Sequence, residues 1–277
     1  MLTERATGSN YAINRPKTEV YEDLEHGPWS RHPDLPLPDT YILVKTHCGG
    51  YCDDCHPLDY VQSLENFASS CTTCSTNDSD GKRITYPDAY NSSSLVRRVI
   101  HLIRDPFDNL ISRIHLARKL RPKQWPDNSS EAEAYKSWCW HLDHLHKGFY
   151  RNNSTTFSVS TLDLFRELPC FAEWYRYIQW HNHALDLLEK RLQVPVHTLY
   201  YEDYSLHFSE TVNELLQFLQ LKAVAGPRNF HAGKSYRYLF SNQEKRAARI
   251  LVQSLAKPAT WKRLQHYFSN AQDEGKD

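Results

Sequence analysis

The sequence predicts an α/β protein, with a central parallel sheet flanked by helices. Three short apolar runs read as buried strands: TYILVK at 40–45, VRRVIHLI at 96–103 and VHTLYY at 196–201. Between and after them lie segments whose apolar residues recur at helical spacing. Strands that alternate with helices return to one sheet through right-handed crossovers and so pair in parallel. The 277 residues, 40% of them hydrophobic and 13% aromatic, are enough to bury an ordinary core.

Taken in chain order, residues 1–40 are polar and proline-containing and read as connection. The strand at 40–45 leads into a cysteine-rich stretch, Cys48 to Cys74, with a helix expected at 58–69. Residues 75–94 are rich in Ser, Asn and Asp and read as a surface loop. After the strand at 96–103, Asp105 is an N-cap acceptor and Pro106 suits the first helical position. Phe107, Leu110, Ile111 and Ile114 then form one apolar stripe. A proline-rich break at 122–126 precedes a long aromatic helix at about 130–150. Another helix is expected at 170–190, with Phe171, Trp174, Tyr175 and Ile178 on one face. Beyond the strand at 196–201, Ser209 is expected to cap a helix whose stripe is Val212, Leu215, Leu216 and Leu219. The tail predicts helices at 242–255 and 258–268. There is no internal repeat.

Composition excludes some function classes. Lys and Arg total 33 and so do Asp and Glu, so no electrostatic argument favours nucleic acid or an anionic membrane as partner. No run of about 18 apolar residues exists to span a membrane, and the first residues hold no apolar core of a signal peptide. Asn-x-Ser/Thr triplets at Asn77, Asn91, Asn128, Asn152 and Asn153, with seven cysteines, nevertheless suit a secretory compartment.

The segment 96–120 has the make-up of an anion site. A buried strand ending at Arg104, followed by a helix start, puts a guanidinium at the carboxyl edge of a parallel sheet, where ligands of such sheets bind. Arginine offers paired donors to a phosphate, and helix-start N–H groups add positive potential. Ser112 lies about two turns along the same helix. Asp105 and Asp108 oppose an anion, so they must point away or serve as caps. The same residues also suit an ordinary amphipathic helix beside an exposed arginine, and residue physics leaves both readings open.

RDPFDNLIS, 104–112, resembles the 3′-phosphate motif of the sulfotransferase family, R-x-P-x-D-x-x-x-S, at Arg104, Pro106, Asp108 and Ser112. The resemblance implies that Arg104 and Ser112 bind the 3′-phosphate of 3′-phosphoadenosine 5′-phosphosulfate. LVKTHCGG, 43–50, resembles the family's Lys-Thr-His segment. It implies that His47 is the general base toward an acceptor hydroxyl and that Lys45 stabilises charge on the sulfuryl oxygens. Otherwise His47 is a structural or metal-binding histidine beside Cys48. TLYYEDY, 198–204, with FLQL at 218–221, resembles the Tyr-Glu-Asp strand and following helix, which implies that Tyr201 lies near the adenine. A strand-end tyrosine packing on the helix is the alternative. GKSYRY, 233–238, is a loose substitute for a late Arg-Lys-Gly element, making Lys234 and Arg237 phosphate-binding candidates.

The resemblance covers most of 40–270 and is closer to Golgi-type and algal or diatom members than to the cytosolic phenol enzymes. It implies a three-layer P-loop-NTPase-like fold, a single domain with a cysteine-rich insertion at about 48–94, and a Golgi or other secretory lumen. The implied reaction moves a sulfuryl group from the nucleotide donor to a hydroxyl, expected to be a carbohydrate's. The family's Pro-Lys-Ser-Gly-Thr-Thr-Trp-like phosphosulfate loop is absent from the sequence. The expectation is therefore that the chain starts at an internal methionine and lacks the first strand and that loop. KTHCGG as a degenerate anion loop is the alternative. A nucleotide-binding remnant without transfer activity, or a zinc-binding interaction protein, are the competing functions.

Cys52-x2-Cys55 and Cys71-x2-Cys74, 15 residues apart, fit either a zinc pair or disulfides. Disulfides are preferred for a secretory protein, and no metal site is assigned. Cys139 and Cys170 read as core residues or a further pair.

Overall fold

The computed structural model describes Cys48 and residues 63–72, 74–77, 83–86, 96–120, 130–152, 157–223 and 235–269. The expected strand at 40–45 and the first five residues of the expected helix at 58–69 lie outside the described residues, and 64–69 of that helix are helical. The chain divides into two compact units. One holds Met1–Tyr51, Ser63–Ile103 and Asp186–Ala232; the other holds Cys52–Gln62, Arg104–Leu185 and Gly233–Asp277.

In the first unit, helix α1 (Leu64–Thr72) opens with the Asn66 N–H donating to Ser63 Oγ at 3.2 Å. Glu65 in its first turn pairs with Arg191. Cys71, near the end of α1, is disulfide-bonded to Cys48. The pairing takes Cys71 out of the zinc set Cys52, Cys55, Cys71 and Cys74, because a sulfur already bonded to sulfur is no thiolate ligand. Cys52 and Cys55 lie outside the described residues. Next come β1 (Cys74–Asn77) and β2 (Arg83–Tyr86), an antiparallel pair in which Cys74 faces Tyr86 and Asn77 faces Arg83. A surface loop was the expectation here. The polar composition of 75–94 hides Thr76, Ile84, Thr85 and Tyr86, residue types that favour strands, and Asp80-Gly81 between the runs is a hairpin signal.

Strands β3 (Val99–Ile103) and β4 (Val196–Tyr200) pair in parallel, from Val99 opposite Val196 to Ile103 opposite Tyr200. The parallel pairing agrees with an α/β protein, and among the described residues the sheet has these two strands alone. Along β3, His101 and Ile103 are buried while Leu102 is exposed, the alternation of a strand with one covered face. Helix α5 (Phe171–Asp186) passes into a π-helical turn at Leu187–Leu192. Gln193 stops it in the left-handed region, with φ at 49° and its N–H donating to the Leu188 carbonyl. Beyond β4, a short α6 (Asp203–Leu206) runs into α7 (Phe208–Leu219). The expected stripe Val212, Leu215, Leu216 and Leu219 is buried as a face of α7. Ser209 is not its cap. The chain is already helical at α6, so α7 begins at Phe208 and Ser209 falls within its first turn.

The second unit is helical. Helix α2 (Pro106–Leu120) buries Phe107, Leu110, Ile111, Ile114 and Ala117, the expected stripe extended by one turn. It packs on α3 (Glu131–Asn152), which buries Ala134, Tyr135, Trp138, Cys139 and Leu142. Ser130 and Glu133 close a capping box at its start: Ser130 Oγ accepts the Glu133 N–H, and Glu133 Oε2 accepts the Ser130 N–H. Helix α4 (Val159–Glu167), which the sequence reading does not place, is capped by Ser158 and packs against α8 (Asn242–Leu255). Helix α8 carries its own box from Ser241 and Glu244, and α9 (Pro258–Leu264) starts on proline. The core between these faces is aromatic. Phe107 lies 5.0 Å from Trp174, 4.9 Å from Phe240 and 5.7 Å from Phe268, in edge-on or tilted contacts.

Cys139 of α3 is disulfide-bonded to Cys170 in the turn before α5, which settles their pairing. Asp143, one turn further along α3, accepts the Cys170 N–H at 2.9 Å and thereby caps α5 from a neighbouring helix. Arg113 and Arg176 both reach the buried carboxylate of Glu173, at 3.3 and 3.2 Å. Removing the Cys139–Cys170 bond by a Cys170→Ser, Cys139→Ser double variant frees a loop spanning 31 positions. The expected loss is about 3–4 kcal/mol of unfolding free energy, read from denaturant midpoints.

Burial raises the Asp143 carboxyl to about 7, against the pull of the Cys170 and Phe171 N–H groups. A carboxyl whose folded value is raised binds a proton more readily folded than unfolded, so its contribution falls as pH rises from the ordinary 3.8 through about 7. Melting curves of wild type and Asp143→Asn should therefore diverge between pH 4 and 8, the wild type losing ground at the alkaline end. A difference constant with pH would contradict this.

Candidate functional site

Pairing of β3 with β4 brings the carboxyl ends of both strands level, with Ile103 opposite Tyr200. The ladder continues one residue further, where the Tyr201 N–H donates to the Ile103 carbonyl at 2.8 Å. Tyr201 is half-buried, and its main chain is thus fixed against the last residue of β3. Arg104 follows Ile103 directly in the chain and opens the second unit.

There the strand gives way to helix over two residues. Asp105 caps α2, its Oδ1 accepting the Phe107 N–H at 2.8 Å, and Pro106 takes the first helical position. Asp105 is buried, and its other oxygen is paired with Arg237 Nη1 at 2.8 Å. Asp108, also buried, accepts the Tyr236 N–H on Oδ1 at 2.6 Å. Both acidic residues are thus engaged as caps or pairs, as an anion site beside them requires. Pro106 has no N–H, and Asp105 takes that of Phe107 within the helix start.

Arg104 is half-buried, and its carbonyl accepts the Tyr177 hydroxyl at 2.7 Å. That bond ties the residue to α5, whose Trp174, one turn earlier, packs on Phe107. Ser112 Oγ donates to the Asp108 carbonyl at 2.9 Å, four residues back. Its proton is thus in use within the helix, while its lone pairs remain acceptors.

Arg237 sits in a short 3₁₀ turn, Arg237–Leu239. Besides Asp105 it donates from Nη2 to the Tyr267 carbonyl at 2.7 Å, and its guanidinium lies 4.6 Å above the Phe107 ring. Ion pair, hydrogen bond and cation–π contact together engage it as a brace. These partners place Arg237 in the support of the α2 start.

Lys45 and His47 lie outside the described residues, as does Lys234. Arg104, Asp105, Asp108, Ser112, Tyr236 and Arg237 are brought together around the start of α2. Tyr201 stands in the first unit. The sequence reading missed Tyr177 as a support for Arg104 and the Asp105–Arg237 pair. Helical spacing marks Tyr177 only as part of an aromatic face, and a pairing across 132 positions leaves no local signal.

Comparison with known families matches residues 89–235 to the Sulfotransferase domain family. No curated protein and no solved structure gives a match. The matched span contains the motif at 104–112 and the Tyr-Glu-Asp strand end, and it excludes 43–50 and Arg237. Because it takes in just over half of the chain, including both elements that carry Arg104 and Tyr201, this protein belongs to the sulfotransferase family.

Proposed function

We propose that this sulfotransferase-family protein transfers the sulfuryl group of 3′-phosphoadenosine 5′-phosphosulfate to a hydroxyl group of a carbohydrate. The observation that carries this reading is the start of α2: Arg104 follows a parallel strand, and both nearby carboxylates already have donors. Phosphate at Arg104 would thus meet a cation whose acidic neighbours have donors of their own, Asp105 a guanidinium and Asp108 a main-chain N–H. Ser112 would turn its hydroxyl from the Asp108 carbonyl to the same phosphate. Tyr201 would lie near the adenine. In the transfer itself, the bond from sulfur to the donor's phosphate oxygen breaks and a bond to the acceptor oxygen forms. His47 takes the acceptor's proton, and Lys45 offsets charge on the sulfuryl oxygens. The fold that goes with this reading is the three-layer P-loop-like arrangement, one domain carrying the cysteine-rich insertion at about 48–94. A Golgi or other secretory lumen suits the Cys48–Cys71 and Cys139–Cys170 disulfides found among the described residues, since reducing compartments do not maintain such bonds.

A second reading is nucleotide binding without transfer. Melting curves with 3′-phosphoadenosine 5′-phosphate test what both readings share. A ligand at a hundred times its Kd adds about 2.7 kcal/mol to stability. Arg104→Ala should abolish the shift in melting temperature. Arg237→Leu should instead lower the ligand-free melting temperature, since it strips a buried carboxylate of its partner at a cost of about 3 kcal/mol. No shift in wild type, or an equal shift in Arg104→Ala, refutes the binding site. Transfer of labelled sulfate that His47→Ala abolishes without loss of the shift supports the enzyme. A shift without transfer leaves the second reading.

A further inference from the structure

Helix α2 carries Asp108, Ser112 and His115 along one side, four and three residues apart. Residues 235–239 lie against that side. The Tyr236 N–H donates to Asp108 Oδ1 at 2.6 Å, and the Tyr236 ring meets His115 edge-on, with centroids 5.4 Å apart. Two residues on, the Tyr238 hydroxyl donates to Glu131 Oε2 at 2.9 Å. Main chain and ring of Tyr236 are therefore both held on α2. Its hydroxyl has no hydrogen-bond partner among the described residues and lies in the fields of Glu131, Arg104 and Asp108.

We propose that Tyr236 is a further ligand-binding residue, whose phenol donates to the same phosphate that Arg104 and Ser112 hold. The inference rests on the nucleotide reading above. A terminal phosphate has three oxygens, and a guanidinium engages two of them at most in its paired mode. Ser112 must give up its bond to the Asp108 carbonyl to contribute, whereas the Tyr236 hydroxyl breaks no such bond. Burial and the nearby Glu131 carboxylate raise the phenol above its ordinary value, so it is an O–H donor at neutral pH. A neutral donor also suits this position. Two carboxylates stand close by, and a further cation would be drawn to them. Each carboxylate has donors of its own: Tyr236 N–H for Asp108, and the Tyr238 hydroxyl for Glu131, with His115 Nε2 at 3.7 Å.

Titration calorimetry on the full chain, with 3′-phosphoadenosine 5′-phosphate and with adenosine 5′-phosphate, separates the outcomes. Tyr236→Phe keeps the ring on His115 and removes only the donor. It should weaken the 3′-phosphorylated nucleotide about tenfold, as expected for one hydrogen bond to a charged group, and leave adenosine 5′-phosphate unchanged. Tyr236→Gln, which restores a neutral donor, should recover part of the discrimination. If Tyr236→Phe discriminates like wild type while Arg104→Ala does not, the Tyr236 assignment is wrong and the Arg104 site stands. If wild type shows no preference for the 3′-phosphate, both fall together.

Discussion

Asp105 uses its two carboxylate oxygens for two structural tasks. One oxygen accepts the Phe107 N–H and closes the first turn of α2, and the other holds the Arg237 guanidinium. Arg237 extends the tie by lying over the Phe107 ring and donating to the Tyr267 carbonyl. One buried carboxylate thus sets where the strand becomes a helix and pins the C-terminal segment to that point. A carboxylate can be buried only when donors replace the water it gives up. Here both oxygens have them, so the junction that orients Arg104 is over-determined.

The same arrangement eases an apparent contradiction. An anion site beside two acidic residues should be repulsive, since each carboxylate opposes the charge that the arginine attracts. Asp105 is balanced by Arg237, and Asp108 is spent on the Tyr236 N–H. The family motif keeps an acidic residue within the arginine–serine span, at Asp108 in this chain, and its role here is to anchor the 235–239 segment on α2. Further out, α5 contributes the Tyr177 hydroxyl to the Arg104 carbonyl and Trp174 to the Phe107 cluster. The disulfide at Cys139–Cys170 and the Asp143 cap fix the start of that helix. Support for Arg104 therefore comes through α5 as well as through α2.

Much of this was legible from local pattern. The stripe on α2, the Asp105 cap, the Pro106 start, the parallel strands and the tail helices follow from spacing and from which residues suit a helix start. The pattern failed where composition and periodicity disagree. At 74–86, serines and acids mask a pair of short strands. At α4, nine residues are too few for a periodic signal to stand out. At α7, an early helical turn displaces the serine that would otherwise cap it. The bracing contacts of Arg237 with Asp105 and Tyr267 were equally hidden, because those partners are remote in sequence.

The sequence by itself determined the family, the α/β character and the residues that begin and face each principal helix, because those depend on neighbours within a turn or two. The motif from Arg104 to Ser112 is of this kind: its strand, cap and stripe are local, and so is the chemistry of its arginine. Only the tertiary structure decided which groups are paired with one another. Arg237 with Asp105, Tyr236 with Asp108, Tyr177 with Arg104 and Cys139 with Cys170 are pairings across long stretches of chain. Such pairings are selected by packing and by the need to satisfy buried polar groups, and neither leaves a periodic trace in the sequence.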